Sequence, residues 1–441
     1  MCLDTDHLFC DLSPPMSGFV VAVSGGSDSL SLLIAAHSHA ERHWPDTNLV
    51  AVTVDHGLRK ESADEARGVA QFCASRGIRH RTMNWQGAKP VSGLSAAARE
   101  ARYALLAQAA EEAGVDCILT GHTLDDQAET VVMRAKRGAG GGLAGMARAT
   151  LYDDRVWIVR PLLDQRRAHL RSFLSAKGVS WYDDPSNENA AYERVRIRES
   201  MQDREVEAAS VTAKVAGENR RALSNAAARL LESRVSMPSP GLFRVERSLL
   251  AEDRSESIHA LRLLLASVGG RAYLPAVERV AALHAAISTG RRRVSLSRVV
   301  IDARSEAVWM YREARGLPTL QAGQSTLWDG RWRIESPKGA SDAEIRPGPG
   351  SVVIGETSNR EFPEGLARAA LAAEPWIYRN GRPLGTAIET NNCNIGLSAR
   401  RIVAPYSLFL PEFDLAAASV LSHLMGNPKL KSSPWKKHIA P

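Results

Sequence analysis

Six small polar residues, SGGSDS at positions 24–29, separate an apolar β-branched stretch from a helical pattern. Glycines let backbone N–H groups turn toward an anion, serines add hydroxyl donors, and the positive end of the following helix dipole favours negative charge. The segment therefore predicts a phosphate-binding loop. Asp28 would be repelled by a phosphate unless a cation lay between them, so we expect Mg²⁺ to bridge the carboxylate and a pyrophosphate. The alternative is a polar turn that caps a helix.

Polar side chains also follow the second and fourth predicted strands. Asp55 and His56 come after the second strand, and Gly121 and His122 come after the fourth. In open parallel sheets, ligands bind outside the carboxyl ends of the strands, so these residues are expected on the same side as the phosphate loop. The alternative for Asp55 and His56 is a cap for the helix that begins near Glu61.

Two acids and two arginines are spaced so that each pair shares one face of a predicted helix. Asp126 and Glu129 lie in a first turn that Asp125 is suited to cap. Carboxylates that face a cleft can hold a metal or a cationic substrate such as the ε-ammonium of lysine, and the alternative is an acidic turn that satisfies the helix dipole. Arg99 and Arg102 are likewise three residues apart, a spacing that by itself is more typical of a solvated surface.

The elements that must position these residues alternate short β-branched runs with amphipathic helical patterns up to about residue 135. Such alternation predicts an α/β fold with a parallel, doubly wound sheet, similar to a Rossmann fold. The predicted strands are 19–23, 49–54, 78–83 and 117–120, and the predicted helices are 27–42, 61–76, 95–113 and 125–136. A glycine-rich segment, 137–145, follows as an expected mobile flap without a stable element, and then comes a strand at 155–159.

The length of 441 residues and shifts in composition predict three domains. Residues 1–200 form the expected catalytic domain. Residues 201–315, rich in Ala, Arg and Glu with few strand signals before 294–301, form an expected helical middle domain. Residues 316–441 form an expected small mixed α/β domain. Its basic tail, with Lys429, Lys431, Lys436 and Lys437, is expected to fray.

Composition narrows the class of protein. The formal net charge of +7 and pI of about 9.3 suit a polyanionic partner. The five cysteines include no CxxC pair, which argues against a zinc ribbon, a dithiol or an iron–sulfur site, and Cys73 and Cys117 are expected to fill the core. We find no signal-peptide pattern and no apolar stretch near the roughly 20 residues of a membrane helix, so we expect a cytoplasmic protein without membrane association.

SGGxDS after a first strand resembles the loop of the N-type ATP pyrophosphatases, the PP-loop superfamily, which cleave ATP between its α and β phosphates to form adenylates. No lysine follows the glycines, so the loop differs from the GxxxxGK[ST] type and does not indicate γ-phosphoryl transfer. Within this superfamily, the order and spacing of five motifs over about residues 19–198 is similar to that of the tRNA(Ile)-lysidine synthases. These motifs are VDHGLR at 54–59, AREARY at 98–103, GHTLDDQAET at 121–130, RGAGGGLAGM at 137–146 and RPLL at 160–163, and WYDDPSN at 181–187 is also typical of the family.

The resemblance implies roles for individual residues. ATP binding is implied for Ser24, Gly25, Gly26, Ser27, Asp28, Ser29, Asp55 and Gly121, with Asp28 on Mg²⁺. Catalytic roles are implied for Asp28, His56, Arg102, Asp126 and Glu129. Lysine recognition is implied for His122, Asp126 and Glu129, while Arg194, Arg196 and Arg198, on alternate positions, are suited to tRNA phosphates.

The implied reaction uses ATP to adenylylate cytidine 34 at C2 in the CAU anticodon of tRNA(Ile), after which the ε-amine of L-lysine attacks to give lysidine, AMP and pyrophosphate. A monomer or a homodimer is implied. The alternatives are a tRNA thiolase or another PP-loop enzyme that acts on tRNA, and a binding module without catalysis. The arginine run 291–293 and the lysine tail could form an RNA track, although an exposed turn explains the arginines equally well. Residues 316–441 resemble the family's C-terminal tRNA-binding region in length and position, which implies that this domain binds tRNA. The motif of basic residues before an aromatic residue that usually ends the family's sequences is not found.

Overall fold

The computed structural model describes residues 3–13, 17–58, 61–138, 141–183, 189, 191–252, 254–290, 292–321, 326–335, 343–349, 362–387 and 397–435. Several positions named above lie outside these ranges, namely Arg59, Ala139, Gly140, Asp184 to Asn187, Arg291, Lys436 and Lys437. The chain forms two compact units. The first comprises Met1–Arg220, Leu408–Phe413 and Lys431–Pro441, and the second comprises Arg221–Ser407 and Asp414–Leu430. The three-domain division at residues 200 and 315 stays a prediction.

The helices of the described residues are α1 (Thr5–Phe9), α2 (Ser27–His43), α3 (Ser62–Ala74), α4 (Leu94–Glu112), α5 (Leu124–Lys136), α6 (Arg167–Ala176), α7 (Glu193–Ser200), α8 (Asp203–Arg234), α9 (Arg254–Val268), α10 (Val277–Ser288), α11 (Glu364–Ala372) and α12 (Leu415–Leu424). The strands are β1 (Gly18–Ala22), β2 (Asn48–Asp55), β3 (Arg79–Asn84), β4 (Cys117–Leu119), β5 (Ala149–Tyr152), β6 (Val156–Val159), β7 (Val235–Ser239), β8 (Leu242–Glu246), β9 (Arg292–Leu296), β10 (Val299–Ala303), β11 (Ala307–Arg312), β12 (Leu320–Gln321), β13 (Thr326–Trp328), β14 (Trp332–Glu335), β15 (Ala343–Pro347), β16 (Pro375–Arg379), β17 (Arg382–Thr386), β18 (Ser398–Arg401) and β19 (Phe409–Pro411). None of these helices is both long enough and apolar enough to cross a lipid bilayer.

The first unit is built on a seven-stranded sheet in the order β19-β5-β6-β4-β1-β2-β3. The strands β3, β2, β1, β4 and β6 run parallel, whereas β5 and β19 pair antiparallel at one edge. Helix α4 packs on this sheet by placing Tyr103 and Leu106 against Val20, Val52 and Ile118, all of which are buried. The predicted parallel α/β fold is confirmed, and the first four strands and the helices α2 to α5 begin and end within two residues of their predicted limits.

The glycine-rich segment is more ordered than its composition predicts. Gly141–Ala144 form a short 3-10 helix, so the expectation of no stable element is wrong for this part. The reason is that Arg134 on α5 donates hydrogen bonds from Nη1 to the carbonyls of Gly142 and Gly145, at 3.0 and 2.8 Å. These hydrogen bonds from a partly buried guanidinium offset the conformational entropy that the glycines lose when the segment becomes ordered.

The basic tail does not fray before residue 435. Lys431 donates from Nζ to the carbonyl of Arg155 at 2.6 Å, and Trp435 is buried and bridges to Leu12. The guanidinium of Arg148 lies 5.1 Å from the centre of the Trp435 ring. Burial of an indole ring and a cation–π contact therefore fix a segment that charge and proline content alone predict to be loose.

In its described residues, the second unit contains three antiparallel sheets, in the orders β7-β8-β11-β10-β9, β12-β15-β16-β17 and β13-β14-β18. The first sheet lies within the segment predicted to be helical, so that prediction missed β7, β8 and β11. The predicted strand 294–301 is in fact the hairpin of β9 and β10, which turns at Ser297 and Arg298, with φ of 53° and 68°. Because neither residue is glycine or asparagine, the usual hairpin signal is missing from the sequence.

Candidate active site in the first unit

The phosphate loop connects β1 to α2 and is closed by its own serines. Ser29 Oγ donates to the carbonyl of Gly26 at 3.1 Å and accepts from the backbone N–H of Ser24 at 3.1 Å. Gly26 is the N-cap of α2, and no side chain of the described residues caps the helix, so its first N–H groups stay available to a ligand. An uncapped helix start behind a glycine turn is an arrangement that binds anions.

Close packing explains why glycines flank this loop. A Cβ on Gly25, whose φ is +86°, would lie 2.9 Å from the ring of Tyr182, and a Cβ on Gly68 of α3 would lie 2.3 Å from the Tyr182 hydroxyl. The N–H of Tyr182 also donates to the Gly25 carbonyl at 3.0 Å. A Cβ on Gly121 would lie 3.1 Å from the Asp28 carbonyl oxygen. The Tyr182 ring therefore packs on the loop, and Gly121, which follows β4, packs directly against the loop backbone at Asp28.

The loop opens into a polar cleft of about 590 Å³. Its walls come from the carboxyl ends of β1 and β4, from α4, α5, α6 and α7, and from the segment around Tyr182. The lining residues are Ala22, Ser24, Gly26, Ser27, Asp28, Ser29, Arg99, Arg102, Gly121, His122, Asp126, Arg167, Arg171, Tyr182, Asp183, Arg194, Val195, Arg198 and Glu199. Six arginines face four acids in this cleft, which suits a polyanionic ligand.

Arg167, which the sequence analysis did not single out, joins two of the predicted site residues. Its Nε donates to Asp28 Oδ2 and its Nη2 donates to Asp126 Oδ1, both at 2.9 Å. It lies at the start of α6, where its own N–H donates to Asp125 Oδ2 at 2.8 Å. Asp125 therefore binds the start of α6 and does not cap α5. The cap is Thr123, which forms a capping box with Asp126, because α5 begins one residue earlier than predicted.

Glu129 is buried beneath two arginines of α7. Arg194 donates from Nε to Glu129 Oε2 at 2.5 Å, and Arg198 donates from Nε to Oε1 at 2.7 Å. Arg194 also donates from Nη2 to Asp126 at 3.0 Å. Residues 194, 196 and 198 lie on a helix, not on a strand, so only Arg194 and Arg198, four apart, share a face. Arg196 is exposed and donates to the Ala191 carbonyl at 2.9 Å.

These contacts set the charge of the acids. Burial raises the pKa of Asp28, and Arg167 offsets only part of that effect. Burial would also raise the pKa of Asp126, but the guanidinium groups of Arg167 and Arg194 outweigh it and bring the value to about 2. Asp126 is therefore ionised at neutral pH, held by two cations, and is a weak base.

His122 lies on the same cleft and is held neutral. Burial, followed by the positive charge of Arg160, lowers its pKa well below the ordinary value of 6.5. Its Nδ1 is 2.9 Å from the hydroxyl of Thr120, which itself donates to the Val159 carbonyl at 3.3 Å.

Asp55 and His56 lie near the cleft but do not line it. The carboxylate of Asp55 accepts from the Gly57 N–H at 2.8 Å and from the Ser62 hydroxyl at 2.7 Å, so Asp55 organises the turn into α3. The His56 ring meets Trp85 edge-on, with centroids 5.9 Å apart, and its buried Nδ1 has no hydrogen-bond partner in the described part of the chain. Burial and Arg102 lower the pKa of His56.

Arg99 and Arg102 supply cations without acidic partners. Both lie on α4 and line the cleft, and within the described ranges neither guanidinium forms an ion pair. Arg99 lies 5.0 Å from the centre of the Tyr103 ring. Positive groups without partners beside a phosphate loop are suited to stabilise charge on a bound phosphate.

Most of the predicted site residues therefore meet in one cleft. Gly25, Glu129 and Arg196 do not line it, nor do Asp55 and His56. The sequence patterns gave no indication of Arg167 and Arg171 on α6, nor of Tyr182, which the WYDDPSN motif contains without indicating a role. The glycine at position 68, inside a helix, was a usable signal for a close neighbour.

The parallel sheet and the serine–glycine loop at its mouth define a PP-loop ATP-binding domain, and residues 5–205 match the family model described as the PP-loop domain. The chain is 45% identical to a tRNA(Ile)-lysidine synthase of Mesorhizobium japonicum, over 96% of this chain and 95% of the relative. It is 40% identical to a tRNA(Ile)-lysidine synthase of Rhizobium meliloti, over 98% and 97% of the two chains. The chain belongs to the tRNA(Ile)-lysidine synthase family.

A solved structure, the U34-tRNA thiolase NcsA from Methanococcus maripaludis with its [4Fe-4S] cluster, aligns with 49% of this chain and 77% of its own, at a TM-score of 0.42 and 18% identity. A likeness at this level carries no argument about function.

Proposed function

We propose that this enzyme uses ATP to adenylylate cytidine 34 in the CAU anticodon of tRNA(Ile) and then joins L-lysine to it. The O2 atom of cytidine attacks the α-phosphorus, and pyrophosphate leaves with the electrons of the broken P–O bond. The ε-amine of lysine then attacks C2, the C2–O bond breaks, AMP leaves, and the amine loses a proton. The observation that carries the proposal is one cleft that joins the phosphate loop to Asp126 and His122.

The first step needs positive groups around a triphosphate. The N–H groups at the start of α2 are suited to the β and γ phosphates, and Arg99 and Arg102 are suited to the charge that develops at the α-phosphate. Groups held in place before the reaction stabilise that charge without reorganisation.

Asp28 fits the Mg²⁺ role implied for it. Its carboxylate lies in the cleft beside the loop, with 20% of the side chain exposed, and carboxylate oxygen is a ligand that Mg²⁺ prefers. Asp28 would hold the ion, which supplies charge neutralisation for the departing pyrophosphate. The guanidinium of Arg167 occupies Asp28 Oδ2 and would have to share or leave that oxygen.

Lysine recognition is proposed for Asp126 and Glu129, whose carboxylates are paired with arginines. The lysine ammonium would replace one arginine contact, so that a cation is exchanged for a cation and no buried charge is left unpaired. We propose His122, a neutral imidazole that lines the cleft with Asp126, as an acceptor of the amine proton; the lowered pKa of His122 and the Asp126 pKa of about 2 make both groups weak bases.

Contacts with tRNA are proposed for the exposed Arg196 and for a basic surface of the second unit. That surface is an open depression of about 460 Å³ lined by Arg292, Arg293, Asp302, Ala303, Arg304 and Glu306. A guanidinium has five N–H donors, so Arg194 and Arg198, which line the cleft, can contact phosphates while they hold their carboxylates. A homodimer also remains a proposal, for which a solution mass near twice 47.9 kDa is the test.

The thiolase alternative is weakened by the cysteines. Of the five, the structure describes three, and only Cys10 is exposed. Burial raises the pKa of the Cys73 thiol to about 11 and also raises that of Cys117. Neither is suited to deliver sulfur as a thiolate.

Incorporation of labelled lysine into a tRNA(Ile) transcript tests the proposal. We expect ATP-dependent label in the CAU transcript and none in a transcript with C34→U. Lysine-independent pyrophosphate release without label would favour another PP-loop enzyme that acts on tRNA. Binding of ATP and tRNA without pyrophosphate release would favour a module without catalysis.

A further inference from the structure

A second cluster of side chains lies at the opposite end of α2 from the phosphate loop. His39 and His43 are four residues apart in the last turns of this helix, and Asp6 projects from α1 toward them. His39 is 12 residues beyond Ser27, which places the cluster about 18 Å along the helix from the loop at 1.5 Å per residue. The cluster has no part in the proposed reaction.

The donor atoms of the three residues converge. His39 Nδ1 is 3.0 Å and His43 Nε2 is 3.1 Å from the same oxygen, Asp6 Oδ1. One nitrogen or oxygen atom from each residue lies within 4.8 Å of the others. Ligands held about 2.0–2.1 Å from a tetrahedral ion are separated by roughly 3.4 Å, so small movements would centre an ion between them.

The surrounding residues hold this arrangement in place. Phe9 and Trp44 contact the His39 ring, with centroids 5.0 and 4.6 Å away. Asp4 accepts from the N–H of Asp6 and so fixes the start of α1. Arg42 donates to Asp6 Oδ2 at 3.0 Å, which leaves Oδ1 directed at the histidines. A ligand oriented by neighbours loses little entropy when a metal binds.

We propose that Asp6, His39 and His43 form a binding site for a divalent transition metal of the Zn²⁺ class. Two imidazole nitrogens and one carboxylate oxygen are the donor set that Zn²⁺ accepts, and histidines four apart on a helix present both nitrogens on one face. Asp6 and His43 are about half exposed, so water can complete the coordination. The ion ties α1 to α2 and serves structure, not the reaction.

Titration of the full-length protein with Zn²⁺ alone, in competition with a chromophoric chelator, tests this site. We expect one equivalent to bind, with affinity at least tenfold weaker in His43→Gln and in Asp6→Asn. His43 and Asp6 are chosen because they are half exposed, so both variants should fold, as circular dichroism will verify. His37→Gln is the matched control, since His37 lies on the same helix and contacts Glu41 and the Arg76 carbonyl. Its binding should equal that of the wild type.

Co²⁺ provides a second readout that identifies the ligands. The proposal predicts visible absorption bands of a nitrogen–oxygen site that disappear in His43→Gln and Asp6→Asn. A sulfur charge-transfer band would assign the ion to a cysteine and overturn the proposal. Absence of saturable Zn²⁺ binding below about 0.1 mM, or equal binding by wild type and His43→Gln, would show that the cluster is only a hydrogen-bonded clasp between two helices.

Discussion

Arg167 and Asp28 are joined by a hydrogen bond of 2.9 Å between Nε and Oδ2, although 139 residues separate them in the chain. The same guanidinium binds Asp126. The acid proposed to hold Mg²⁺ and an acid proposed to hold lysine therefore share one cation. Any ligand that engages either carboxylate must compete with Arg167, so we expect the occupancy of the two subsites to be coupled.

Replacing Arg167 should affect both stability and activity. Arg167→Ala leaves two largely buried carboxylates without their shared partner, which costs about 3 kcal/mol of unfolding free energy. Urea unfolding measures this loss. Arg166→Ala is the matched control, because the neighbouring Arg166 pairs with Asp125 and with the exposed Asp203, and it should cost about 1 kcal/mol or less. Equal losses of unfolding free energy in the two variants would show that the contact of Arg167 with both acids does not stabilise the protein more than an ordinary surface ion pair.

Asp28→Ala should abolish pyrophosphate release while the protein stays folded. The acid is proposed to supply a ligand for the cation and lies in the loop, and burial disfavours its charged form, so its removal should not destabilise the fold. Release of pyrophosphate with tRNA and ATP is the measurement, and thermal unfolding is the control for folding. Near-normal release would refute the role of Asp28 in holding Mg²⁺.

His122 should make stability depend on pH below 6.5. Its folded-state pKa lies below the unfolded value, so the unfolded chain gains a proton first as the pH falls. The contribution of neutral His122 to the free energy of unfolding is fully present above pH 6.5 and is lost progressively as the pH falls toward the folded-state pKa. Between pH 7.5 and pH 5.5, His122→Gln should lose about 1 kcal/mol less than the wild type in denaturant unfolding. Parallel curves for the two proteins would mean that His122 is not held neutral.

Gly68→Ala should weaken ATP binding from outside the cleft. The added methyl group would lie 2.3 Å from the Tyr182 hydroxyl and displace the ring that rests on Gly25. We expect KM for ATP to rise severalfold, with a smaller change in kcat. Gly365→Ala, at another helical glycine where no atom of the described residues lies within 4 Å of the new Cβ, should leave KM unchanged. Both changes raise helix propensity, so a rise in KM only for Gly68→Ala isolates the contact with Tyr182.

The features that the sequence alone predicts are those encoded by a local pattern. Strand and helix periodicity located β1 to β4 and α2 to α5, and the loop at 24–29 follows from residue types and spacing. Arg167 gave no such signal, because its partners are 139 and 41 residues away and lie on other elements. The edge strand β19 was missed for the same reason, since it pairs with β5 from more than 250 residues downstream.

Two errors arose from composition. Glycines at 141–145 indicated a loose flap, yet Arg134 orders their carbonyls, and the lysine-rich end is held by Trp435. A third error arose from periodicity. Arginines at the alternate positions 194, 196 and 198 would share one face of a strand, but they do not share one face of the helix α7. In each case a tertiary contact or the true helical period overrode the local pattern.

A crystal structure with a non-hydrolysable ATP analogue and Mg²⁺ tests the central claim most directly. We predict that the β and γ phosphates lie against the backbone N–H groups of residues 24–29, with the ion on Asp28 and the α-phosphate facing Arg102 and His122. A triphosphate bound elsewhere, or a loop closed to the nucleotide by Tyr182, would contradict the account.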